Sequence, residues 1–302
     1  MKTLFLINPN AGAPEGAEAV RDWAANRPEY ACWTSGGPEY TRGHVEQAEA
    51  DGFTRIVAVG GDGTLSQIVD AVIRTEADLI VGLVPLGTGN DWARTAAISS
   101  DIEDALACVK QGRRRRVDAI HIEWDGGDRY GVNVAAGGFS GAVDEKLTQE
   151  MKASWGPMAY LLGAARVLPD LKEYETQIAL DEEAPRSVRA LNIVAANGRT
   201  AAGGKRVAPR ANPCDGQLDV VVVERGELSE LAQVGARLMA GNYLESPLVQ
   251  HWRARRLRVT SIPGMWFNVD GELLTNEPVT ISVVPEALRM IVGPDFRPVP
   301  EK

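Results

Sequence analysis

The 302-residue sequence has only three cysteines, Cys32, Cys108 and Cys214, and no two of them form a CxxC pair. That spacing excludes a Cys-based zinc site and a disulfide framework. Its three histidines, His44, His121 and His251, are far apart and no HExxH occurs. They read as isolated core or surface side chains rather than metal ligands. No GxxxxGKS or GxxxxGKT is present, which excludes a P-loop, and no GxGxxG links a strand to a helix. No run of about eighteen apolar residues occurs, so no segment is expected to span a membrane as a helix. The apolar stretch Met1–Ile7 is too short for a signal peptide and reads as a first strand. An excess of positive charge is also missing: 32 Lys and Arg stand against 41 Asp and Glu, a net charge of -9. This argues against a general nucleic-acid binder. It also argues against attraction to an anionic surface by net charge, although local patches can differ. A cytoplasmic protein is the expectation.

What is there is an ordinary globular composition, 44% hydrophobic and 24% charged, long enough for two domains or one large one. In the first third, apolar runs and helical spacings alternate. Residues 3–7 read as a buried strand and Pro14 begins a helix through Ala19, Val20 and Trp23. A short strand follows at Tyr30–Trp33, then a helix over His44–Asp51 with Gly52 after it. Leu79–Val84 is another buried strand, and Asp101 can cap a helix over Ile102–Lys110. Such alternation predicts a parallel sheet with helices on both faces, a Rossmann-like three-layer α/β domain. After Arg116 the character changes. Val117–Glu123, Tyr130–Ala135, Glu175–Leu180, Ala190–Ala195, Leu218–Val223, Arg256–Ser261, Met265–Val269, Val279–Val284 and Arg289–Val292 all read as strands. Helical inserts interrupt them near Gly156–Leu168 and Leu228–Met239. The expected division is an α/β domain over residues 1–125 and a β-rich sandwich over 126–289. Whether the tail 290–302 returns to the first domain stays open.

The chain is organised around Val57–Thr64. Ile56, Val57 and Val59 form a strand-like run, Gly60, Gly61, Asp62, Gly63 and Thr64 break it, and Leu65, Ile68, Val69, Val72 and Ile73 resume at helical spacing. Strand, glycine turn and helix present bare backbone N–H groups and a positive helix end to an anion. A tight βα turn without a ligand is the alternative. Two other polar loops follow strands of the same domain, Asn8-Pro9-Asn10-Ala11-Gly12 and Pro85-Leu86-Gly87-Thr88-Gly89-Asn90-Asp91. Loops at the carboxyl ends of such strands are where ligands bind.

These three loops together resemble the diacylglycerol kinase catalytic-domain family, in particular the small soluble bacterial lipid kinases, with sphingosine kinases as relatives and NAD kinases more distant. The resemblance covers almost the whole chain. It continues at Asn133–Phe139, Gly156–Tyr160, Asn197–Gly204, Pro213–Asp219 and Asn268-Val269-Asp270-Gly271-Glu272. It implies a nucleotide-binding first domain, a second domain that holds a lipid acceptor, and an active site between them. ATP would be the phosphate donor and Mg²⁺ the metal. Gly60, Gly61, Asp62, Gly63 and Thr64 would wrap the ATP phosphates, with Leu65, Ser66 and Gln67 completing the helix start. Asn8, Thr34, Gly87, Thr88, Asn90 and Asp91 match other nucleotide-contacting positions. Glu272 would be the general base, with Asp270 beside it, each raising the other's pKa. An Asp-Gly hairpin turn is the alternative there.

Mg²⁺ takes oxygen ligands, and Asp62, Asp91, Asp118 and Asp215 are the carboxylates available from four loops; each alone could be a turn or helix cap. A structural Mg²⁺ is implied at Asn212–Gln217, held by the Asp215 side chain and the Asn212 and Gln217 carbonyls, where a hairpin turn is again the alternative. Ala11 and Ala13 stand where the family often has Ser and a basic residue, and Ser140 where an Asp is common. The basic runs Arg113–Arg116 and Arg253, Arg255, Arg256 and Arg258 read as solvated loops or as docking points for anionic head groups. The apolar helix Met158–Leu168 reads as core or as an acyl-chain groove. The resemblance leaves open a homodimer and a peripheral contact with the inner face of a membrane; no nucleic-acid partner is expected. Two other readings remain: a NAD kinase-like or other soluble-substrate kinase, and a nucleotide- and lipid-binding protein without turnover.

Overall fold

Residues 1–12, 14–138 and 173–299 are described by a computed structural model of the chain. The helix expected at Gly156–Leu168, with Phe139, Ser140 and Met158, lies outside the described residues, as does Ala13. The chain forms two compact units, Met1–Asp118 with Glu286–Pro298, and Ala119–Pro285 with the last residues from Val299.

In the first unit, β1 (Thr3–Ile7), β2 (Tyr30–Thr34), β3 (Arg55–Gly60) and β4 (Ile80–Pro85) alternate with helices α1 (Pro14–Ala24), α2 (Pro38–Ala50) and α3 (Asp62–Arg74). After β4 come α4 (Asp91–Thr95) and α5 (Ile102–Gln111). The strands pair in parallel, β2 on β1, β1 on β3 and β3 on β4, and the far end of the last strand, β15 (Val279–Val292), lies parallel to β4. β1, β3 and β4 are buried along their whole lengths, which is why they read as unbroken apolar runs rather than alternating ones. Each fully buried Leu, Ile or Phe there contributes roughly 1.5–3 kcal/mol. β1 has β2 on one side and β3 on the other, so the chain reverses its direction of winding at this point. The loops after β1 and β3 therefore sit at a topological switch point.

Helix bounds follow local chemistry. α5 starts where the Asp101 side chain accepts the Asp104 N–H, as its sequence suggests. α2 begins at Pro38, well before the expected His44, because Pro38 suits the first turn and the Thr41 hydroxyl is buried against the Gly37 carbonyl.

The second unit is a β-rich sandwich of antiparallel pairs. β7 (Val134–Gly138), β8 (Tyr174–Leu180) and β10 (Leu218–Glu224) all pair with the long β9 (Arg186–Ala196). β12 (Arg256–Ile262) joins β8 to the near end of β15, and β13 (Phe267–Val269) pairs with β7 and with β14 (Glu272–Thr275). α6 (Leu228–Ala240) separates β10 from β11 (Val249–Ala254). Its apolar core includes Ile120, Ile178, Leu218, Leu257, Phe267 and Ile281.

Several expectations need correction. The strand expected at Tyr130–Ala135 is two, β6 (Gly127–Gly131) and β7, because the backbone N–H groups of Val132 and Asn133 turn aside to the Asp270 carboxylate. β11 and β14 were not expected: a single residue separates β11 from β12, and β14 is the return arm of a two-residue turn. The two strands expected at 279–284 and 289–292 are one, running through Pro285. Arg113–Arg116 are not a loop but the exposed start of β5 (Arg113–Trp124), tied down where Arg113 donates to the Pro294 and Phe296 carbonyls. Arg253 lies in β11, and Arg256 and Arg258 in β12.

The final segment is part of the first unit's core: Ile291 is 2% exposed, in β15 beyond the pairing of Arg289 and Met290 with β4. Ile291→Ala should lower unfolding free energy by about 2–5 kcal/mol and Ile291→Val by about 0.5–1.5 kcal/mol. Urea titration followed by circular dichroism measures both; equal midpoints for wild type and Ile291→Ala would contradict this placement.

Candidate active site

Three loops meet at the carboxyl ends of β1, β3 and β4. Asn8 ties the first to the second. Its backbone N–H donates to the Val59 carbonyl (3.0 Å), its Nδ2 donates to Thr64 Oγ1 (3.1 Å), and its Oδ1 accepts the Asn10 N–H (2.9 Å). The second and third loops join where the Leu86 N–H donates to the Gly60 carbonyl (2.9 Å). Just beyond, Gly61 and Gly87 abut backbone to backbone: a Cβ on Gly87 would lie 2.5 Å from the Gly61 Cα. Any side chain at Gly87 would force these loops apart. Asn90, with φ 50°, closes the third loop on itself, accepting the Gly87 N–H (3.0 Å) and donating to the Gly87 carbonyl (2.6 Å).

Gly61 is the N-cap of α3 and offers no side-chain cap, and the first intrahelical bond runs from the Leu65 N–H to the Gly61 carbonyl. The N–H groups of Asp62, Gly63 and Thr64 thus have no partner within the helix. Together with the positive helix end they suit a phosphate. Gly63 and Thr88 are exposed here, and Thr34 is exposed at the end of β2. Leu65 and Ser66 are not: both are buried, so their side chains serve the core, and Gln67 lies beside Thr41 of α2. The side chains of these three support the helix start, since α3 must pack its first turn on the sheet.

Asp62 does not cap its own helix. Its Oδ2 accepts the Asp91 N–H and its Oδ1 the Trp92 N–H, both at 3.0 Å, so it caps α4 in the next loop. Burial pushes the Asp62 carboxyl above its ordinary value; the two N–H donors oppose this, the Asp91 carboxylate adds to it, and Arg94 opposes it. Trp92, wholly buried, holds α4 in place.

The expected metal carboxylates divide. Asp62 and Asp91 flank one loop residue: a Cβ on Gly89 would lie 2.9 Å from Asp62 Oδ2 and 3.4 Å from Asp91 Oδ2. An oxygen-lined space between two carboxylates suits Mg²⁺, which takes one or two carboxylates and completes its shell with phosphate and water. Asp118 does not form a third member. It is 1% exposed in β5 and its Oδ1 accepts the Glu286 N–H (2.8 Å), the geometry of a strand anchor. No group of three or more His, Cys, Asp or Glu side chains among the described residues could hold a metal. Asp215 is ion-paired with Arg253, and its Oδ1 accepts the Gln217 N–H (3.1 Å), while Asn212 Oδ1 accepts the Cys214 N–H (3.1 Å). The 212–217 turn is closed by its own side chains, and its carboxylate already has a counter-charge.

In the second unit, Asp270 and Gly271 form a two-residue hairpin turn, both at positive φ (49° and 82°), with Val269 opposite Glu272. The turn reading and the carboxylate pair thus coexist, but the two carboxylates differ in use. Asp270 accepts three backbone N–H groups, from Val132, Asn133 and Val134, at 2.9–3.0 Å. It anchors the segment between β6 and β7. Glu272 is half exposed, and its Oε2 accepts from Arg129 Nη2 at 2.7 Å. Arg129 was not singled out from the sequence; a lone arginine in a strand carries no local signal.

Residues 2–122 match the family described as the diacylglycerol kinase catalytic domain, and residues 133–292 match the YegS C-terminal NAD kinase beta sandwich-like domain. The chain is 30% identical over 217 residues to a diacylglycerol kinase of Staphylococcus saprophyticus, covering 72% of this chain and 70% of that protein. The chain belongs to the diacylglycerol kinase family. A diacylglycerol kinase of Staphylococcus epidermidis is 29% identical over 228 residues, 76% of this chain and 71% of its own. A crystal structure of a diacylglycerol kinase from Bacillus anthracis superposes with a TM-score of 0.79 at 21% identity, covering 98% of each chain. A second structure from that organism gives 0.82 at 19% identity, over 98% of this chain and 96% of the other. These two likenesses speak to the fold alone. Family membership makes the chain a lipid kinase.

A carboxyl whose native pKa is raised binds its proton more tightly in the folded chain, so its contribution to stability is present below the unfolded value and is lost as pH rises through the native one. Wild type should therefore lose stability relative to Asp62→Asn as pH rises from the ordinary aspartate value of 3.8 through the raised one, then run parallel. Denaturation midpoints of both proteins across that range test it; a difference that grows in favour of wild type with pH would refute it.

Proposed function

We propose that the chain transfers the terminal phosphoryl group of ATP to the hydroxyl of diacylglycerol or a related lipid at a membrane surface, with Mg²⁺. The observation that carries this reading is the uncapped start of α3, whose first residue, Asp62, shares the surroundings of Gly89 with Asp91 of the next loop. Loose, charge-dispersed phosphoryl transfer needs positioning and charge neutralisation above all. The N–H groups of Asp62, Gly63 and Thr64 bind phosphate oxygens. Asn8, through Thr64, and Asp62, through α4, keep the three loops in register. Asp91, with Asp62, would hold Mg²⁺, which when bound neutralises phosphate charge and orients the triphosphate. Glu272 takes the proton of the acceptor hydroxyl as its oxygen bonds to phosphorus, and the bond to the leaving ADP oxygen breaks. The enzyme meets its lipid as a peripheral protein; among the described residues no helix is long and apolar enough to cross a membrane. The sandwich's likeness to that of NAD kinases supports a second reading, a soluble acceptor.

Incubation with labelled ATP, Mg²⁺ and separate acceptors (diacylglycerol, sphingosine and NAD) distinguishes them. Label should appear in phosphatidic acid; transfer to NAD alone would overturn the lipid reading for this site. Glu272→Ala should lower turnover by about 10²–10⁴-fold with ATP binding largely intact. Asp62→Ala should instead weaken productive ATP binding, seen as a raised KM for ATP. Near-normal turnover in the first variant, or unchanged ATP kinetics in the second, would count against the assigned roles.

A further inference from the structure

We infer that Arg129 is the positioning residue that aims the Glu272 carboxylate at the acceptor hydroxyl, an inference that rests on Glu272 being the base. The Arg129 side chain is 10% exposed while that of Glu272 is 45% exposed, and they meet at 2.7 Å. A sheltered guanidinium is costly to desolvate, so this is not an inexpensive surface pair. Its backbone position explains the burial. Arg129 stands opposite Ile122, a fully buried core residue, so its stem enters the sandwich core and only its head reaches Glu272. The neighbours Asp128 and Tyr130 alternate to the other face, where they meet His121: Asp128 by hydrogen bond at 2.9 Å and Tyr130 by ring stacking at 4.3 Å.

Both ends of the Glu272 residue are therefore held from one stretch of chain. Val132–Val134, just after β6, grip Asp270 and so fix the turn that carries Glu272; Arg129, within β6, grips the Glu272 side chain. A charge-assisted bond at Oε2 restricts the rotamers of a half-exposed glutamate and leaves Oε1 to accept the proton. A base must lie within about 2.6–3.2 Å of the proton's donor atom. Without the clamp, Glu272 would sample positions that miss it.

The test is a kinetic cycle with diacylglycerol in detergent micelles, Mg²⁺ and labelled ATP. It compares wild type, Arg129→Met, Arg129→Lys, Glu272→Gln and the double variant Arg129→Met/Glu272→Gln. Arg129→Met, which keeps much of the stem, should lower kcat about 100-fold, the scale of a misplaced catalytic group, with KM for ATP within about twofold because the nucleotide loops are untouched. Arg129→Lys, which restores the charge, should recover part of kcat. The double variant should be no slower than Glu272→Gln, because a residue that acts only through Glu272 has nothing left to aim. If Glu272→Gln is inactive but Arg129→Met and Arg129→Lys turn over within twofold of wild type, the inference fails while the base reading stands. If both losses multiply in the double variant, Arg129 acts elsewhere and the inference fails. If Glu272→Gln turns over normally, the base reading itself fails. Should Arg129→Met not fold, Arg129→Lys and its double variant with Glu272→Gln carry the same comparison.

Discussion

The first unit's site depends on where one carboxylate points. Asp62 stands in the first turn of α3, where an acidic side chain ordinarily interacts with its own helix's N–H groups. Here it reaches across to the N–H groups of Asp91 and Trp92 instead. Hydrogen bonds to a charged group contribute about 1.5–3 kcal/mol each, set against the burial that raises its pKa. The result is twofold. The loops after β3 and β4 become one object, and the amides of α3's first turn stay available. Had Asp62 capped α3, the anion site would be partly filled by the protein itself.

The second unit uses an aspartate in the same way. Asp270 sits in an Asp-Gly turn, and its carboxylate accepts three N–H groups from the segment between β6 and β7. Each of these two motif aspartates organises a neighbouring backbone segment by accepting its donors. In each case other polar groups stand beside it: the 62–64 amides in one unit, and in the other the Glu272 carboxylate paired with Arg129.

This difference explains what could be read from the sequence. The three loops were legible because glycine, asparagine and aspartate at strand ends are local signals, and the parallel strands because burial on both faces leaves unbroken apolar runs. Boundaries failed where a tertiary partner set them. β6 and β7 separate at Val132 because of Asp270, a residue 138 positions away. Arg113–Arg116 extend as a strand because the tail supplies acceptors to Arg113 180 or so positions on. The capping role of Asp62 was hidden for the same reason, its partners lying 29 and 30 residues ahead. Arg129 was wholly illegible, since its partner is 143 residues away and nothing near it in sequence is unusual.

The same commitments bear on the metal. Both oxygens of Asp62 already accept N–H groups, so it can offer a cation only its remaining lone pairs. Asp91, beside it, has the Arg94 guanidinium 3.7 Å from its Oδ1. Two such carboxylates make a weak site for a cation that surrenders water reluctantly. Phosphate oxygens seated on the α3 amides would supply the missing negative ligands at the place where the carboxylates already converge. On this reasoning a metal would bind together with the nucleotide, and the pair of carboxylates would orient a complex rather than hold a resident ion.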